Sequence, residues 1–378
     1  MSHIASVETI YPGATLGMIG GGQLGRMFAM AAGAMGYEVI VFCGRHDEPA
    51  AQVTYRHVIA PVDDLDAAAE FARQCDVVTL EFENIPVETL QRCAQYAPTR
   101  PGARVLSTAQ DRGVEKQTLA DAGLPVTPFA VVRSADQVRQ WAKDQWPIIL
   151  KTRRSGYDGR GQMRIDDPAR LASIDLDHPA DGWIAERFIP YDTEISVVVG
   201  RNPGGEVVTF PTFQNGHRNH VLDVTTLPAD VATSVCTRAD EVARSVAETL
   251  DLEGLLCVEF FVVGEDLMIN EIAPRPHNSG HVTMEACVTD QFEQQVRAVC
   301  NLPLGQPDMK VPAAGMLNLL APGTDSPTQA HWDRWIAPDV ATHWYGKRRC
   351  KPGRKMGHLT VVGDDAGQVQ NRLDQLRW

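Results

Sequence analysis

The chain has 378 residues, enough for two or three domains, and its 44% hydrophobic and 22% charged residues are typical of a globular protein. This composition excludes a disordered, collagen-like or coiled-coil chain. Acidic residues outnumber basic ones by 48 to 35, and the net charge of -13 argues against a general nucleic-acid-binding protein. A short stretch near the C-terminus nevertheless carries six cations and no acid, and such a cluster can hold a small anion: Lys347, Arg348, Arg349, Lys351, Arg354 and Lys355.

Strands and helices alternate in the first part of the chain, which predicts a doubly wound parallel sheet. The predicted elements are strands at 16–22, 39–42 and 77–80 and helices at about 27–31 and 64–74. Pro98, Pro101 and Gly102 indicate a domain boundary near residue 105.

From residue 106 the pattern predicts a mixed α+β domain, and from about residue 303 a C-terminal tail with several short strands and a closing helix. We therefore expect three domains, at residues 1–105, 106–302 and 303–378. The main elements expected in the second and third are strands near 126–132, 147–152, 182–189, 194–200, 206–210, 255–263 and 267–272, and helices at 229–249 and 366–376.

The eight cysteines are scattered and show no C-x-x-C motif and no spacing that pairs them with histidine. We therefore expect a reduced, cytoplasmic protein. The N-terminus lacks the pattern of a signal peptide, and every apolar run is shorter than the ~20 residues that cross a bilayer. A membrane role is not expected.

A first glycine loop follows the first strand, where Gly20, Gly22 and Gly25 form a G-x-G-x-x-G pattern. Such a loop at the start of a helix can bind a phosphate on its backbone amides, or it can simply make a tight turn. We favour the phosphate interpretation. The second strand ends without the acidic residue that holds an NAD ribose, so NAD is disfavoured, whereas Arg45 leaves NADP open.

Two acidic residues interrupt neighbouring apolar strands, Glu259 in the first and Glu271 in the second. If Gly264, Glu265 and Asp266 form a three-residue hairpin loop, the two glutamates lie directly opposite each other, about 5 Å apart. Two carboxylates at that separation suit Mg²⁺ with nucleotide phosphates. The alternative is that one of them pairs with an arginine such as Arg275.

Lys151 ends a predicted strand, and a second glycine-rich loop follows at residues 155–162. The loop lacks the G-K-[ST] sequence of a P-loop, and its glycines are equally consistent with a β-hairpin connection. The lysine could also be an ordinary strand-end residue. Together with the acidic pair, these features predict a nucleotide site built without a P-loop.

These features resemble the ATP-grasp superfamily, and the strings that carry them are similar to the 5-(carboxyamino)imidazole ribonucleotide synthase family of purine biosynthesis. The similarity extends in order from residue 16 to about 363. Its strings are Gly20–Met27, Gln110–Arg112 with Glu115 and Lys116, Ser155–Gln162, Asn270–His281 and Gly353–His358.

The resemblance implies an ATP-grasp fold with a Rossmann-like N-terminal domain and a small C-terminal domain, usually in a homodimer. It also implies a ligase that uses ATP, Mg²⁺ and bicarbonate to carboxylate aminoimidazole ribonucleotide through carboxyphosphate, with ADP and phosphate as the other products. No covalent enzyme intermediate is needed, and neither nucleic acid nor membrane is an expected partner. The sequence does not determine whether free CO₂ forms or whether the product is passed directly to another enzyme.

The resemblance also assigns roles to individual positions. The residues implied for ATP are Arg112, Lys151, Gly156, Tyr157, Asp158, Gly159, Arg160, Gly161, Gln162, Glu186, Arg187, Phe188, Ile189, Glu194, His217, Asn270 and Glu271, with Glu259 and Glu271 as metal ligands. Those implied for the ribonucleotide are Gly22, Gln23, Leu24, Glu83, Tyr157, Asp158, Arg160, Arg275, Asn278, Lys347 and Arg354. Catalytic roles are implied for Arg275, His277 and Lys151.

Lys347 and Arg354 are expected to hold the 5′-phosphate of the ribonucleotide with amides of the first glycine loop. Two positions depart from the family pattern, Gln214, where an acid is common, and Asp290, which stands at a helix start where it can cap as serine does. The alternatives are a formate-using phosphoribosyl transformylase of the same superfamily, an NADP-dependent oxidoreductase and a non-catalytic nucleotide- or nucleic-acid-binding module.

Overall fold

The computed structural model describes residues 8–156, 159, 161–174, 176 and 181–378. The N-terminal part contains β1 (Thr15–Ile19), α1 (Gln23–Ala34), β2 (Glu38–Cys43), β3 (Arg56–Ile59), α2 (Leu65–Ala72), β4 (Val77–Leu80), α3 (Val87–Cys93) and α4 (Ala103–Ala109). Its four strands are parallel in the order β3-β2-β1-β4, which confirms the predicted parallel sheet and adds β3 to it. One face packs on α1 and the other on α2 and α3, so β1, β2 and β4 are mostly apolar, whereas the edge strand β3 is only partly buried and includes Arg56 and His57.

A small antiparallel sheet follows, with strand order β5-β8-β6-β7. This part contains α5 (Arg112–Asp121), β5 (Phe129–Val132), α6 (Ala135–Ala142), β6 (Ile148–Thr152), β7 (Gln162–Ile165), a 3₁₀ helix (Pro168–Ser173) and β8 (Trp183–Arg187). The second glycine-rich loop is the connection of the β6–β7 hairpin. The sheet has its own apolar core, which includes Val138 of α6 and Leu150 of β6.

A large sheet joins the rest of the chain, in the order β14-β13-β9-β11-β12-β15-β17-β16, with β10 paired to β9. Its elements are β9 (Thr193–Arg201), β10 (Val207–Thr209), β11 (Phe213–Arg218), β12 (Val221–Leu227), α7 (Thr233–Thr249), β13 (Gly254–Val263), β14 (Asp266–Ala273), a 3₁₀ helix (Ser279–Val282), α8 (Thr283–Ala286), α9 (Gln291–Val299), β15 (Ala313–Leu320), α10 (Gln329–Trp335), β16 (Ala341–Trp344), β17 (Lys355–Gly363) and α11 (Ala366–Gln375). Strands β11 and β12 were not predicted, because the residues at the end of β11 are polar and exposed.

The β13–β14 hairpin corrects one detail of the sequence prediction. Val263 pairs with Asp266, so the loop has two residues rather than three. Glu259 still lies opposite Glu271, because β14 contains one extra residue between Ile269 and Glu271. The predicted pairing of the two glutamates is therefore confirmed, but a β-bulge produces it rather than the loop length.

The C-terminal strands are long and continue the large sheet, since β15 pairs with β12 as well as with β17. A cluster of tryptophans forms the core beneath them. Trp335 is completely buried, its ring centroid lies 5.3 Å from that of Trp378, and its Nε1 donates to the carbonyl of Leu376 at 2.8 Å. The C-terminal part is thus joined to the central part by a continuous ladder of strands.

The N-terminal and central parts share a core. Phe292 and Val296 of α9 pack with Phe28 of α1. Asp290 caps α9 by accepting the amides of Phe292 and Glu293 at 2.7 and 3.0 Å, so the cap expected at this position is present. Among the described residues, none of the helices is long and apolar enough to cross a membrane.

Candidate active site

A cavity of about 890 Å³ lies where the three sheets meet. The carboxyl ends of β1 and β4 form one side, the small sheet forms the roof, and β13, β14 and the start of β17 form the floor. Polar and charged side chains from all of these elements line it: Gln23, Glu81, Glu83, Arg112, Glu115, Lys151, Glu186, Glu194, His217, Glu259, Asn270, Glu271, Arg275, His277, Asn278, His281 and Lys355.

Lys151 lies in an interior strand of the small sheet and is almost completely buried. Its ammonium donates to Glu186 Oε2 at 3.1 Å and to Asn270 Oδ1 at 3.4 Å. Lys116 lies 3.9 Å from the same Glu186 oxygen, and Thr127 donates to it at 3.1 Å. Lys151 is therefore held by an acid and is not a solvent-facing strand-end residue.

The charge on Glu186 is stabilised by these two ammonium groups. Burial alone would raise the pKa of Glu186, but Lys116 and Lys151 outweigh it and lower the pKa to about 2. The other carboxylate oxygen, Oε1, is buried and has no hydrogen-bond partner among the described residues. It is an ionised acceptor in the cavity wall.

Glu259 and Glu271 face each other at the floor of the cavity. His277 Nε2 lies 3.1 Å from Glu259 Oε1, and Arg112 Nη2 lies 3.6 Å from Glu271 Oε2. Burial raises the pKa of Glu259 well above its ordinary value, and the nearby charge of Glu271 raises it further. Arg275, the alternative partner for one of these acids, pairs with Glu83 instead.

The donor chemistry of this pair fits Mg²⁺. Two opposed carboxylates are hard oxygen ligands, and a divalent cation would relieve both their burial and their mutual repulsion. In the described part of the chain, no group of three or more histidine, cysteine, aspartate or glutamate side chains could hold a metal. The remaining oxygens of an octahedral site would therefore come from phosphates and water.

Arg275 and His277 follow β14 and point into the cavity from one short loop. Arg275 makes a two-bond ion pair with Glu83, in which Nη2 donates to Oε1 at 3.0 Å. Burial and then the charges of Arg275 and Lys355 lower the pKa of His277 well below its ordinary value. The ring is therefore neutral at pH 7, with Nδ1 held 2.9 Å from the hydroxyl of Ser279.

The segment Glu186–Ile189 lies along the cavity, as do Glu194 and His217. His217 Nδ1 lies 3.3 Å from Glu194 Oε2, although position 214, three residues before His217, carries glutamine rather than an acid. The Arg187 side chain has a different function. Its guanidinium stacks 4.4 Å above the Trp141 ring and donates to the carbonyl of Ala142 at the end of α6, so it holds the small sheet together.

Two amides of the first glycine loop donate to a carboxylate of the protein. The carboxylate of Glu81 accepts the amide of Gly22 and, at 2.8 Å, the amide of Gly25. A Cβ atom on Gly22 would lie only 2.6 Å from Glu81 Oε1. These glycines therefore make room for a buried carboxylate of the protein itself. The expectation that amides of this loop bind a ligand phosphate stays a prediction for Gln23 and Leu24, which border the cavity.

The cations of the C-terminal cluster differ in their position relative to the cavity. Lys355, which had no assigned role, lines the cavity, whereas Lys347 and Arg354 lie outside its lining. Arg354 Nη1 donates to the carbonyl of Arg349 at 2.8 Å, and Lys347 donates to the backbone carbonyl of Lys355. Burial and then the nearby charge of Arg354 lower the pKa of Lys347 to about 8.

The second glycine-rich loop borders the cavity through Ser155, Gly156, Gly159 and Gln162. Arg112 Nη2 donates to the carbonyl of Gly156 at 2.9 Å, and this contact connects α5 to the loop. The predicted residues Tyr157, Asp158 and Arg160 lie outside the described part of the chain.

Comparisons with known proteins cover most of the chain. The ribonucleotide synthetase preATP-grasp domain family matches residues 13–110, the ATP-grasp domain family residues 117–292 and the phosphoribosylaminoimidazole carboxylase C-terminal domain family residues 314–372. The N5-carboxyaminoimidazole ribonucleotide synthase of Bacillus subtilis is 40% identical over 94% of this chain and 93% of its own length. The chain belongs to the N5-carboxyaminoimidazole ribonucleotide synthase family.

Solved structures of this synthase family have the same fold. An ADP complex of an N5-carboxyaminoimidazole ribonucleotide synthetase has a TM-score of 0.91 at 37% identity, over 98% of both chains. The Aspergillus clavatus synthase, in complex with ADP and 5-aminoimidazole ribonucleotide, has a TM-score of 0.85 at 26% identity, over 96% of this chain and 97% of that one. The present chain therefore has an ATP-grasp fold with a preATP-grasp N-terminal domain and a small C-terminal domain.

The sequence analysis of this synthase-family chain missed several residues of the cavity. Glu81 directly follows the apolar strand β4, and a charge at that position was the available signal. Glu115 and Lys116 were noted only as part of a motif, yet both are almost completely buried and Glu115 lines the cavity. Their burial inside a polar-looking helix has no signature in the sequence.

Proposed function

We propose that the chain catalyses the ATP- and bicarbonate-dependent carboxylation of the exocyclic amine of 5-aminoimidazole ribonucleotide. The products are N5-carboxyaminoimidazole ribonucleotide, ADP and phosphate. The observation that carries the proposal is a single cavity lined by Lys151, the facing glutamates and the Arg275–His277 loop. Family membership supports it, as does the relative whose structure contains ADP and 5-aminoimidazole ribonucleotide together.

ATP lies under the second glycine-rich loop in this proposal. Lys151 and Arg112 offset negative charge on its phosphates, and both are already fixed by the acids and carbonyls around them. Glu259 and Glu271 would hold Mg²⁺, which when bound offsets further phosphate charge. The segment Glu186–Ile189 and the Glu194–His217 pair border the nucleoside.

A bicarbonate oxygen attacks the γ-phosphorus of ATP, which gives carboxyphosphate and ADP. The ribonucleotide amine then forms a bond to the carboxyl carbon, directly or after release of CO₂, and phosphate leaves. Arg275 stabilises the negative charge of carboxyphosphate, because its guanidinium is held rigidly by Glu83. His277 lies in the same loop and, in this proposal, assists the movement of the proton that the amine loses.

The ribonucleotide lies on the side of the cavity formed by Gly22, Gln23, Leu24 and Lys355. Lys347 and Arg354 lie outside the lining of the cavity on this side and provide positive charge for the 5′-phosphate of the ribonucleotide. The protein contributes positioning and charge stabilisation rather than a covalent intermediate. Closure of the glycine-rich loop protects the reactive acyl phosphate from water.

The geometry also weighs against an NADP-dependent oxidoreductase. A dinucleotide pyrophosphate binds at a helix N-terminus after a glycine loop, but Glu81 accepts the amides of Gly22 and Gly25 at that terminus. Absence of NADPH fluorescence enhancement is the expected result.

Substrate dependence distinguishes the proposed enzyme from a formate-using transformylase. The proposed enzyme releases ADP with bicarbonate and not with formate.

The test is to measure ADP release while each substrate is omitted in turn, and to follow the product by NMR with ¹³C-labelled bicarbonate. We expect ADP release to depend on the ribonucleotide and the label to appear in a carbamate. ADP release that ignores the ribonucleotide, together with no labelled product, would reject the proposal.

A further inference from the structure

Strand β14 contains one residue that has no partner on β13. The pairing skips Asn270, which lies between Ile269 and Glu271. A β-bulge of this kind changes which face of the sheet the following side chains occupy. Here both Asn270 and Glu271 border the cavity, while Ile269 lies in the apolar core on the other face.

The bulge determines whether the two glutamates can act together. The register set at the hairpin turn would pair Glu259 with Asn270 if it continued unchanged. Glu271 would then lie opposite Val258, which belongs to the apolar core, because side chains alternate between the two faces of a strand. Only the extra residue brings Glu271 to the same face as Glu259.

A buried lysine binds the backbone at this bulge. Lys116 is 1% exposed, and its Nζ donates to the carbonyl of Ile269 at 2.8 Å and to Thr127 Oγ1 at 2.7 Å. Strand β14 is at the edge of the large sheet, so its outward carbonyls depend on partners from elsewhere. Glu186, 3.9 Å away, compensates the buried charge of Lys116.

The neighbouring contacts hold the same short segment from other directions. Arg112 lies one helical turn before Lys116 on α5, and its Nη2 is 3.6 Å from Glu271 Oε2. Lys151 donates to the side chain of Asn270 at 3.4 Å. Helix α5 therefore contacts β14 on both sides of the inserted residue. Lys116 is the side chain that binds the backbone there, next to the bridge in which the amide of Ile269 donates to the carbonyl of Pro125 at 2.6 Å.

We propose that Lys116 is a positioning residue, which holds the bulge at Asn270 and thereby presents Glu271 beside Glu259 as a ligand for a divalent cation. The inference rests on the proposed function, because it concerns the same metal–nucleotide site. Lys116 acts through the Ile269 carbonyl and touches neither substrate nor metal.

Replacement of Lys116 by methionine tests the inference, because it removes the ammonium and keeps a flexible chain of similar length. Lys116→Arg keeps the charge and the donors and should restore the wild-type properties. Arg100→Met is the matched control, since Arg100 is also a buried cation that donates to a backbone carbonyl, that of Val299, but lies outside the cavity. If Lys116→Met does not fold, Thr127→Val removes one of the ammonium's two hydrogen-bond acceptors.

Two measurements do not require turnover. Hydrogen exchange of the metal-free protein should show faster exchange at Ile269–Glu271 in Lys116→Met than in the wild type. Calorimetry should measure the affinity for ADP with and without MgCl₂. The ratio of these two affinities should be about 10- to 100-fold smaller in Lys116→Met than in the wild type, which is the usual effect of removing a group that orients a metal ligand. Thr127→Val should change both in the same direction by less, and Arg100→Met should change neither, even if it lowers the Tm.

In the assay of ADP release, Lys116→Met should raise the Mg²⁺ concentration for half-maximal rate while the KM for the ribonucleotide stays unchanged. Unchanged hydrogen exchange and an unchanged effect of MgCl₂ on ADP affinity in folded Lys116→Met would overturn the inference. The inference would also be overturned if Arg100→Met lost as much of the MgCl₂ effect on ADP affinity as Lys116→Met. It would likewise be overturned if Lys116→Arg did not recover the wild-type hydrogen exchange and ADP affinity. Wild-type enzyme that releases no ADP with the ribonucleotide would instead reject the proposed function, while exchange and calorimetry would still test Lys116.

Discussion

The kcat/KM of the synthase for the ribonucleotide should depend on pH through Lys347, because the ammonium of this residue is largely buried. Burial lowers the pKa of this ammonium from 10.5 to about 8, and the nearby charge of Arg354 adds to the effect, while Glu81 opposes it. The change corresponds to about 3 kcal/mol against the charged form in the free enzyme. A phosphate at this position would need the charged form, so deprotonation should weaken binding of the ribonucleotide.

The size of the effect follows from the pKa. Lys347 is fully charged well below pH 8, about half charged at pH 8 and about one-tenth charged at pH 9. The kcat/KM for the ribonucleotide reports groups of the free enzyme, so it should fall by about half at pH 8 and about tenfold at pH 9.

The assay is ADP release at saturating ATP and bicarbonate, with the ribonucleotide varied between pH 6.5 and 9. Lys347→Arg is the reference, because a guanidinium stays charged throughout this range. Glu115, whose pKa burial raises to about 8, titrates in the same interval near the ATP site. At each pH, dividing the kcat/KM of the wild type by that of Lys347→Arg cancels the contribution of Glu115. The pH dependence of this ratio therefore reports the titration of Lys347.

The expected result is a ratio that falls above pH 8, together with a low and flat profile for Lys347→Met. A wild-type profile that stays flat to pH 9 would refute the reasoning. So would an identical fall in Lys347→Arg, because that fall would then belong to another group.

Three further substitutions test separate parts of the structure. Glu271→Gln should lower the rate of ADP release by about 100-fold or more, because one of the two carboxylates proposed to hold Mg²⁺ beside the reacting phosphates is lost, while the Tm is maintained because repulsion with the facing glutamate is relieved. Gly22→Ala should raise the KM for the ribonucleotide but not for ATP, since its Cβ would lie 2.6 Å from Glu81 Oε1 and displace that carboxylate. Trp335→Ala should lower the free energy of unfolding by about 3–5 kcal/mol in a denaturant titration, because the indole is completely buried.

Each of these has its own control. An active Glu271→Gln enzyme would contradict the metal-ligand assignment. For the glycine, Gly33→Ala is matched, because Gly33 is on the same helix with open space around it and should gain about 0.5–1 kcal/mol of stability with no change in KM. Trp332→Ala, at a partly buried ring beside Trp335, should cost less than Trp335→Ala, and the reverse order would contradict the packing described for this core.

The local features of the sequence were sufficient for much of the architecture. Apolar runs alternating with helices predicted the parallel N-terminal sheet, and two isolated acids in apolar strands predicted the pair Glu259 and Glu271. These predictions succeed because burying a charge is costly, so an acid in an apolar strand indicates a compensating environment. The strands β11 and β12 were missed because the last residues of β11 are polar and exposed, so the usual alternation is lost where the two strands meet.

The sequence by itself therefore determined the family, the parallel sheet and the acids and cations available for the chemistry. The tertiary structure decided how they are used. The carboxylate of Glu81 occupies the terminus of α1, the bulge at Asn270 turns Glu271 toward the cavity, and Lys355 borders it. The physical reason is that each of these outcomes depends on contacts between residues far apart in the chain, such as Lys116 with the carbonyl of Ile269, whereas spacing reveals only what neighbouring residues require.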